Sequence, residues 1–281
     1  MGIMARIIAV SNQKGGVGKT TTSVNLAACL AAGERRVLLV DLDPQSNASS
    51  GLGLAVARAD QPTMYNVMVD DLPVKDVIVK SELKCLDVAP AHQELVGAEI
   101  ELVTAIGREV RLKDALSEVS HLYDFIIIDC PPTLGILTVN ALTAADAVLI
   151  PLQCEYYAME GLSQLLKTVS LVKRKLNPPI EVEGILLTMY DRRNNLSHQV
   201  EQEVRSHFAN QVFDVVVPRN VKLSEAPSHG KPVILYDISS AGAVAYMELA
   251  KELIRRHLVP EKQKSKGSRS GAAPHLDTSL N

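Results

Sequence analysis

The chain has 281 residues and a formal charge of −3, from 29 Lys+Arg against 32 Asp+Glu, which excludes a uniformly basic binder of polyanions. Three Phe, seven Tyr and no Trp are too few for platforms on which single strands stack, so any contact with nucleic acid falls to phosphates. The composition, 47% hydrophobic and 22% charged, is that of a globular protein; four scattered cysteines without a C-x-x-C pair argue against a zinc site or disulfide framework and predict a reduced, cytoplasmic setting.

Short β-branched runs alternate with longer segments of helical period, which predicts an α/β fold: a doubly wound, mostly parallel sheet flanked by helices. In chain order, strands are predicted at Ile7–Ser11, Val37–Asp41, Leu86–Ala89, Phe125–Asp129, Ala147–Pro151, Gly184–Met189 and Val212–Val217. Helices are predicted at Thr20–Ala32, Leu112–Ser120, Ile136–Ala144, Met159–Lys175, Ser197–Ala209 and Gly242–His257. With no internal repeat and no Ser/Gly linker, residues 1–258 read as one domain. Residues 259–281 are polar and nearly free of large apolar side chains, which predicts a disordered basic tail. Lys251 to Arg269 alone carries a net +5, leaving −8 on the rest. The N-terminus lacks a secretory apolar core, and no apolar run approaches the roughly 18 residues of a membrane span, so neither export nor anchoring is expected.

After the first strand comes Asn12-Gln13-Lys14-Gly15-Gly16-Val17-Gly18-Lys19-Thr20-Thr21. A strand, a Gly-rich loop and a helix N-terminus together aim backbone N–H groups and the positive end of a helix dipole at a phosphate. Lys14, Gly15, Gly16, Val17, Gly18, Lys19, Thr20 and Thr21 are therefore the candidate phosphate-binding residues. Lys19 would reach the β- and γ-phosphates, and the Thr20 hydroxyl would ligate Mg²⁺. FIIIDCPP ends a strand with Asp129, a second candidate for the magnesium shell, and RRVLLVDLDPQ ends another with Asp41 and Asp43.

The strict phosphate-loop pattern G-x-x-x-x-G-K-[ST] fails, because its first glycine falls on Gln13. The K-G-G-V-G-K-T that stands instead resembles the deviant Walker A loop of the ParA/MinD ATPases. VLLVDLDPQSNASSGLG, FIIIDCPPTLGILTVNAL, PLQCEYYAMEGLSQLL and PRNVKLSEAPSHGKPV extend that resemblance over nearly all of residues 4–258, toward the chromosomal, Soj-type partitioning branch. The resemblance implies an ATP hydrolase with ATP and Mg²⁺ as cofactors, slow by itself and stimulated by a partner. It assigns Lys14, Lys19 and Asp43 to catalysis, with Lys14 reaching the partner's nucleotide in an ATP-bound homodimer. Asp43 then polarises the attacking water, and with Thr20 and Asp129 completes the metal set. Asp41 is read as structural, and Pro131–Gly135 as a switch segment beside the γ-phosphate.

By the same resemblance, Met189, Pro218 and Asn220 lie against adenine, and Arg192, Arg193, Arg219 and Lys222 contact double-stranded DNA without sequence preference. A ParB-like centromere-binding protein is the implied trigger, chromosome segregation the implied purpose, and the nucleoid the implied location. Two alternatives stay open. One is a MinD-like or cargo-positioning regulator, although the basic tail lacks the apolar face of a membrane-binding helix. The other is a P-loop ligase or kinase acting on a small molecule.

Overall fold

Strands that are apolar on both sides need cover on both faces, and VLLVD and FIIID are buried at every residue. The computed structural model describes residues 4–54 and 61–258. Among these, one sheet contains β1 (Arg6–Val10), β2 (Val37–Asp41), β3 (Val79–Lys80), β4 (Leu86–Ala89), β5 (Phe125–Asp129), β6 (Ala147–Gln153) and β7 (Glu181–Thr188). Its spatial order is β3-β4-β2-β5-β1-β6-β7, parallel except for the β3–β4 pair. The described helices are α1 (Lys19–Ala32), α2 (Asn47–Ser50), α3 (Met64–Val69), α4 (Leu95–Glu101), α5 (Arg111–Ser117) and α6 (Ile136–Ala144). They continue with α7 (Ala158–Lys175), α8 (Asn195–Phe208), α9 (Val221–Glu225), α10 (Val233–Tyr236) and α11 (Ala241–Leu258).

Side-chain alternation divides the core into two layers. Leu38, Val40, Ile126, Ile128, Val148 and Ile150 point to the face covered by α3 to α8. Ile8, Val10, Leu39, Ile127, Leu149 and Leu186 point to the face covered by α1, α10 and α11. The chain fills the β2 side of β1 first and then reverses to add β6 and β7 on the other. That reversal opens a crevice beyond the carboxyl ends of the central strands, where ligands bind in sheets of this type.

One predicted strand is corrected. Val212–Val217 meets β7 at one isolated bridge, Ile185 with Val212, and a second, Tyr190 with Pro218, lies just beyond the ends of both. Phe213 N–H donates to Ile185 O and Val217 N–H to Leu187 O, so the segment shields the β7 edge without entering the sheet. Gly184 permits this, since a Cβ there would stand 2.5 Å from the Phe213 ring. The predicted tail, 259–281, lies outside the described residues; no described helix is long and apolar enough to cross a membrane.

Two glycines join the loop after β2 to the segment after α9. Gly53 and Gly230 both have positive φ, 72° and 62°, and a Cβ on Gly230 would lie 2.7 Å from the Gly53 Cα. Gly230→Ala is therefore expected to cost about 2–4 kcal/mol, from left-handed strain and backbone overlap together. Urea unfolding measures it, and an unchanged midpoint would contradict the close packing.

Candidate functional site

The loop between β1 and α1 is held from three directions. Asn12, buried at the end of β1, accepts from Lys14 N–H (3.0 Å) and donates to Pro151 O (2.7 Å), tying the loop to β6. Thr188 at the end of β7 donates to Val17 O (2.8 Å). Gly16 and Gly18 have φ of 75° and 88°, a left-handed conformation that lets successive N–H groups turn inward before α1 begins. Asn12 and Thr188 had no signal in the sequence beyond adjacency to a strand end.

The two loop lysines have opposite placements. Lys19 is buried, and its ammonium donates to Lys14 O at 3.1 Å, inside the loop where phosphates would lie. Burial holds its pKa below the usual range, against the pull of Asp129 and Asp43. Lys14 instead points outward and pairs with Glu155, just past β6, with about two-fifths of each side chain exposed. Glu155 lies within PLQCEYYAMEGLSQLL, but its pairing with Lys14 is marked only by its neighbourhood in three dimensions.

Asp41 and Asp129 sit at the paired ends of β2 and β5, both fully buried. Asp41 accepts from Ser49 N–H (2.8 Å), Ser49 Oγ (2.7 Å) and Asp43 N–H (3.2 Å), so its oxygens are occupied by the chain itself. Asp129 Oδ1 accepts from Ser23 Oγ at 2.8 Å, while Oδ2 is buried with no partner. Burial first, and the Asp41 charge second, push Asp129 well above the ordinary carboxylate range. A buried, unpaired carboxylate oxygen beside a second carboxylate fits a cation. Among the described residues no group of three His, Cys, Asp or Glu forms a cage of its own. That pattern suits Mg²⁺, which keeps waters and takes few protein ligands. Asp43 is nearly buried, and its Oδ1 accepts from Gln45 N–H at 3.0 Å. The Pro131–Gly135 loop leaves Asp129 and becomes exposed from Pro132 to Leu134.

Beside the loop lies a cavity of about 270 Å³. Gly18, Thr21, Thr188, Met189, Pro218 and Asn220 line it, so the candidate adenine residues and the phosphate loop share one space. Met189 adopts φ of 50°, rare for a residue with a side chain, at the turn where β7 meets the cavity.

The structure also gathers the four cationic candidates. Tyr190 N–H donates to Val217 O (3.0 Å) and Arg219 N–H to Tyr190 O (3.2 Å), which lays the Arg192-Arg193 loop beside Arg219 and the start of α9. Their freedom differs. Arg193 is 92% exposed and only loosely paired with Asp191 at 3.3 Å. Lys222 pairs with Glu225 at 2.9 Å and sits 5.4 Å from the centre of the Tyr236 ring. The basic run near the C-terminus is partly structural, since Arg256 donates to Glu252 and to Glu183 O.

A family model described as an AAA domain matches residues 5–182. The chain is 59% identical to the chromosome partitioning protein ParA of Myxococcus xanthus, over 90% of this chain and 89% of that protein. It is 62% identical to the sporulation initiation inhibitor protein Soj of Bacillus subtilis, over 89% of this chain and 98% of that protein. Among solved structures, cobyrinic acid a,c-diamide synthase from Mycobacterium smegmatis, with bound ADP and magnesium, is 38% identical with a TM-score of 0.79. That alignment covers 90% of this chain and 96% of that one. With a phosphate loop at the crevice of a parallel sheet, and this identity across almost the whole length of ParA and Soj, the chain belongs to the ParA/MinD family of P-loop ATPases.

Proposed function

We propose that this protein is an ATP-driven dimerising switch that binds double-stranded DNA without sequence preference and segregates chromosomes with a ParB-like partner. The observation that carries the reading is the division between Lys19, turned into its own loop, and Lys14, turned out of it to a half-exposed pair with Glu155. A cation facing outward at a phosphate site has work to do only when another protomer closes over it.

The nucleotide is ATP and the metal Mg²⁺. Lys19 and the N–H groups of Gly15 to Thr21 would hold the phosphates, Thr20, Asp43 and Asp129 would hold the metal, and Met189, Pro218 and Asn220 would flank the base. Mg²⁺ supplies neutralisation of the phosphate charge. Asp43 accepts a hydrogen bond from the attacking water and orients it. Lys14 of the second protomer spreads the charge that develops on the transferred phosphate. Because the last group arrives only in the dimer, hydrolysis is slow until a partner secures that geometry. The protein then resides on the nucleoid while ATP is bound and leaves on hydrolysis.

Arg192, Arg193, Arg219 and Lys222 form the DNA face, and Arg193, 92% exposed and only loosely paired with Asp191, contributes more than Lys222, which Glu225 holds at 2.9 Å. Arg193→Glu is expected to lower duplex affinity at least tenfold while ATP-dependent dimerisation persists. Anisotropy with labelled duplex, alongside sedimentation, reads both; undiminished affinity would remove this loop from the interface.

The likeness to a diamide synthase favours one other reading, an enzyme that activates a small molecule with ATP. ATP turnover that depends on a metabolite and is indifferent to DNA would select it.

A further inference from the structure

Behind the Arg192-Arg193 loop, four side chains form a continuous relay. His198 Nε2, on the first turn of α8, lies 2.8 Å from Arg192 O. A carbonyl only accepts, so Nε2 carries a hydrogen. His198 Nδ1 lies 2.9 Å from the Tyr190 hydroxyl, and the two rings meet edge-on with centroids 5.7 Å apart. The same hydroxyl donates to Glu201 Oε2. Glu201 Oε1 in turn accepts from Arg205 Nε (2.9 Å), whose guanidinium also reaches Phe213 O. Burial and the hydrogen bond to Glu201 push the Tyr190 phenol up to about 12, so it keeps its single proton. Glu201 stays ionised: burial opposes this, but the bonds from Tyr190 and Arg205 outweigh it and hold its carboxyl below the usual range.

One hydroxyl proton cannot serve both Glu201 and a bare Nδ1. If it goes to Glu201, Nδ1 must itself donate to the phenol oxygen, and every bond in the relay is then made. That arrangement requires the imidazolium. We propose that His198, linked through Tyr190 to Glu201, is a positioning residue for Arg192 and Arg193, and that its protonation tightens the grip of this loop on duplex DNA. The proposal rests on the reading that these arginines meet DNA phosphates. When the ring is neutral one bond must go: with its hydrogen on Nε2 the ring loses either the Tyr190–Glu201 bond or the Nδ1 bond, and with its hydrogen on Nδ1 it loses the bond to the Arg192 carbonyl. Imidazole is the side chain that changes charge between pH 5 and 8. His198 itself meets Tyr190, Glu201 and the Arg192 carbonyl; the charged and titratable groups around the rest of the relay are Arg192 and Cys154 beside Tyr190, Arg205 beside Glu201, and Arg193 and Arg219 beside Asp191 on the loop. Burial raises the Cys154 thiol to about 12, which keeps it neutral here.

Two measurements on the full chain test this. The first is amide hydrogen exchange over residues 191–196 without nucleotide, corrected for intrinsic rate, at pH 6 and pH 8. Wild type should be about three- to tenfold better protected at pH 6, the size of one ordinary hydrogen bond, and His198→Gln and Tyr190→Phe should show no such difference. The second is duplex affinity with ATP and Mg²⁺ at fixed salt over the same pH range. Wild type should weaken about three- to tenfold more than either variant as pH rises. Equal protection in wild type and both variants would overturn the relay, whatever the DNA result. Protection that follows the relay, with no DNA binding at either pH, would instead overturn the phosphate reading and the role in grip together. DNA curves that run parallel in all three proteins would leave the relay without influence on binding and so reject the proposal.

Discussion

Lys14→Ala is expected to leave ATP affinity within about threefold of wild type while abolishing ATP-dependent dimerisation and reducing turnover by roughly 10³-fold or more, as for other cations supplied across an interface. Lys19, not Lys14, has its ammonium within its own loop, so removing the Lys14 side chain takes nothing from the cradle of the same protomer. The pair that Lys14 makes with Glu155 is two-fifths exposed on both sides, and such pairs contribute at most about 1 kcal/mol. The lysine is therefore released cheaply when a second protomer offers it phosphates in place of one carboxylate. Sedimentation with ATP and single-turnover hydrolysis measure the two effects; a variant that still dimerises with ATP would place Lys14 within its own protomer's site.

The second large effect is at Asp43. Asp43→Ala should bind ATP and form the dimer, yet hydrolyse about 10²–10⁴-fold more slowly, the range for losing a group that handles the proton of an attacking water. The fold already separates this residue from its neighbour. Asp41 spends its oxygens on Ser49 and on the Asp43 N–H, whereas Asp43 accepts only one backbone bond, from Gln45, and keeps an oxygen for other use. The variant should therefore remain on DNA once loaded, with a dissociation rate that no longer follows hydrolysis. Asp41→Ala, by contrast, should destabilise the whole protein, because it leaves the Ser49 N–H and hydroxyl without their acceptor. Near-normal turnover in Asp43→Ala would move the water-orienting role elsewhere.

The central fold was legible because its signals are local. VLLVD and FIIID are continuous apolar runs ending in a carboxylate, and both form strands at the residues read from the sequence. Val212–Val217 is apolar apart from Asp214 and lies along the β7 edge, yet it makes only two backbone bonds to it, and hydrophobic pattern alone does not tell a strand from such a strap. The two-residue β3 and the four-residue α2 and α10 are too short to leave any periodicity. In the site, the glycines, lysines and aspartates announce themselves by spacing. Asn12, Ser23, Glu155 and Thr188 do not, because each acts on a residue between 106 and 171 positions away. The surface charges were legible as residues but not as partners: Lys222 and Arg193 look alike in sequence, and only the fold sets Glu225 and Tyr236 against the first.

The central claim is that DNA binding appears only in the ATP-bound dimer. It is tested most directly by duplex affinity measured with ATP and Mg²⁺, and separately with ADP, from 50 to 200 mM salt. With ATP, binding should be independent of sequence and weaken by roughly 10³-fold across that range, as phosphate contacts from two subunits release counterions; with ADP it should be undetectable at 200 mM. Equal affinity with both nucleotides, or an affinity with ATP that does not change with salt, would contradict it.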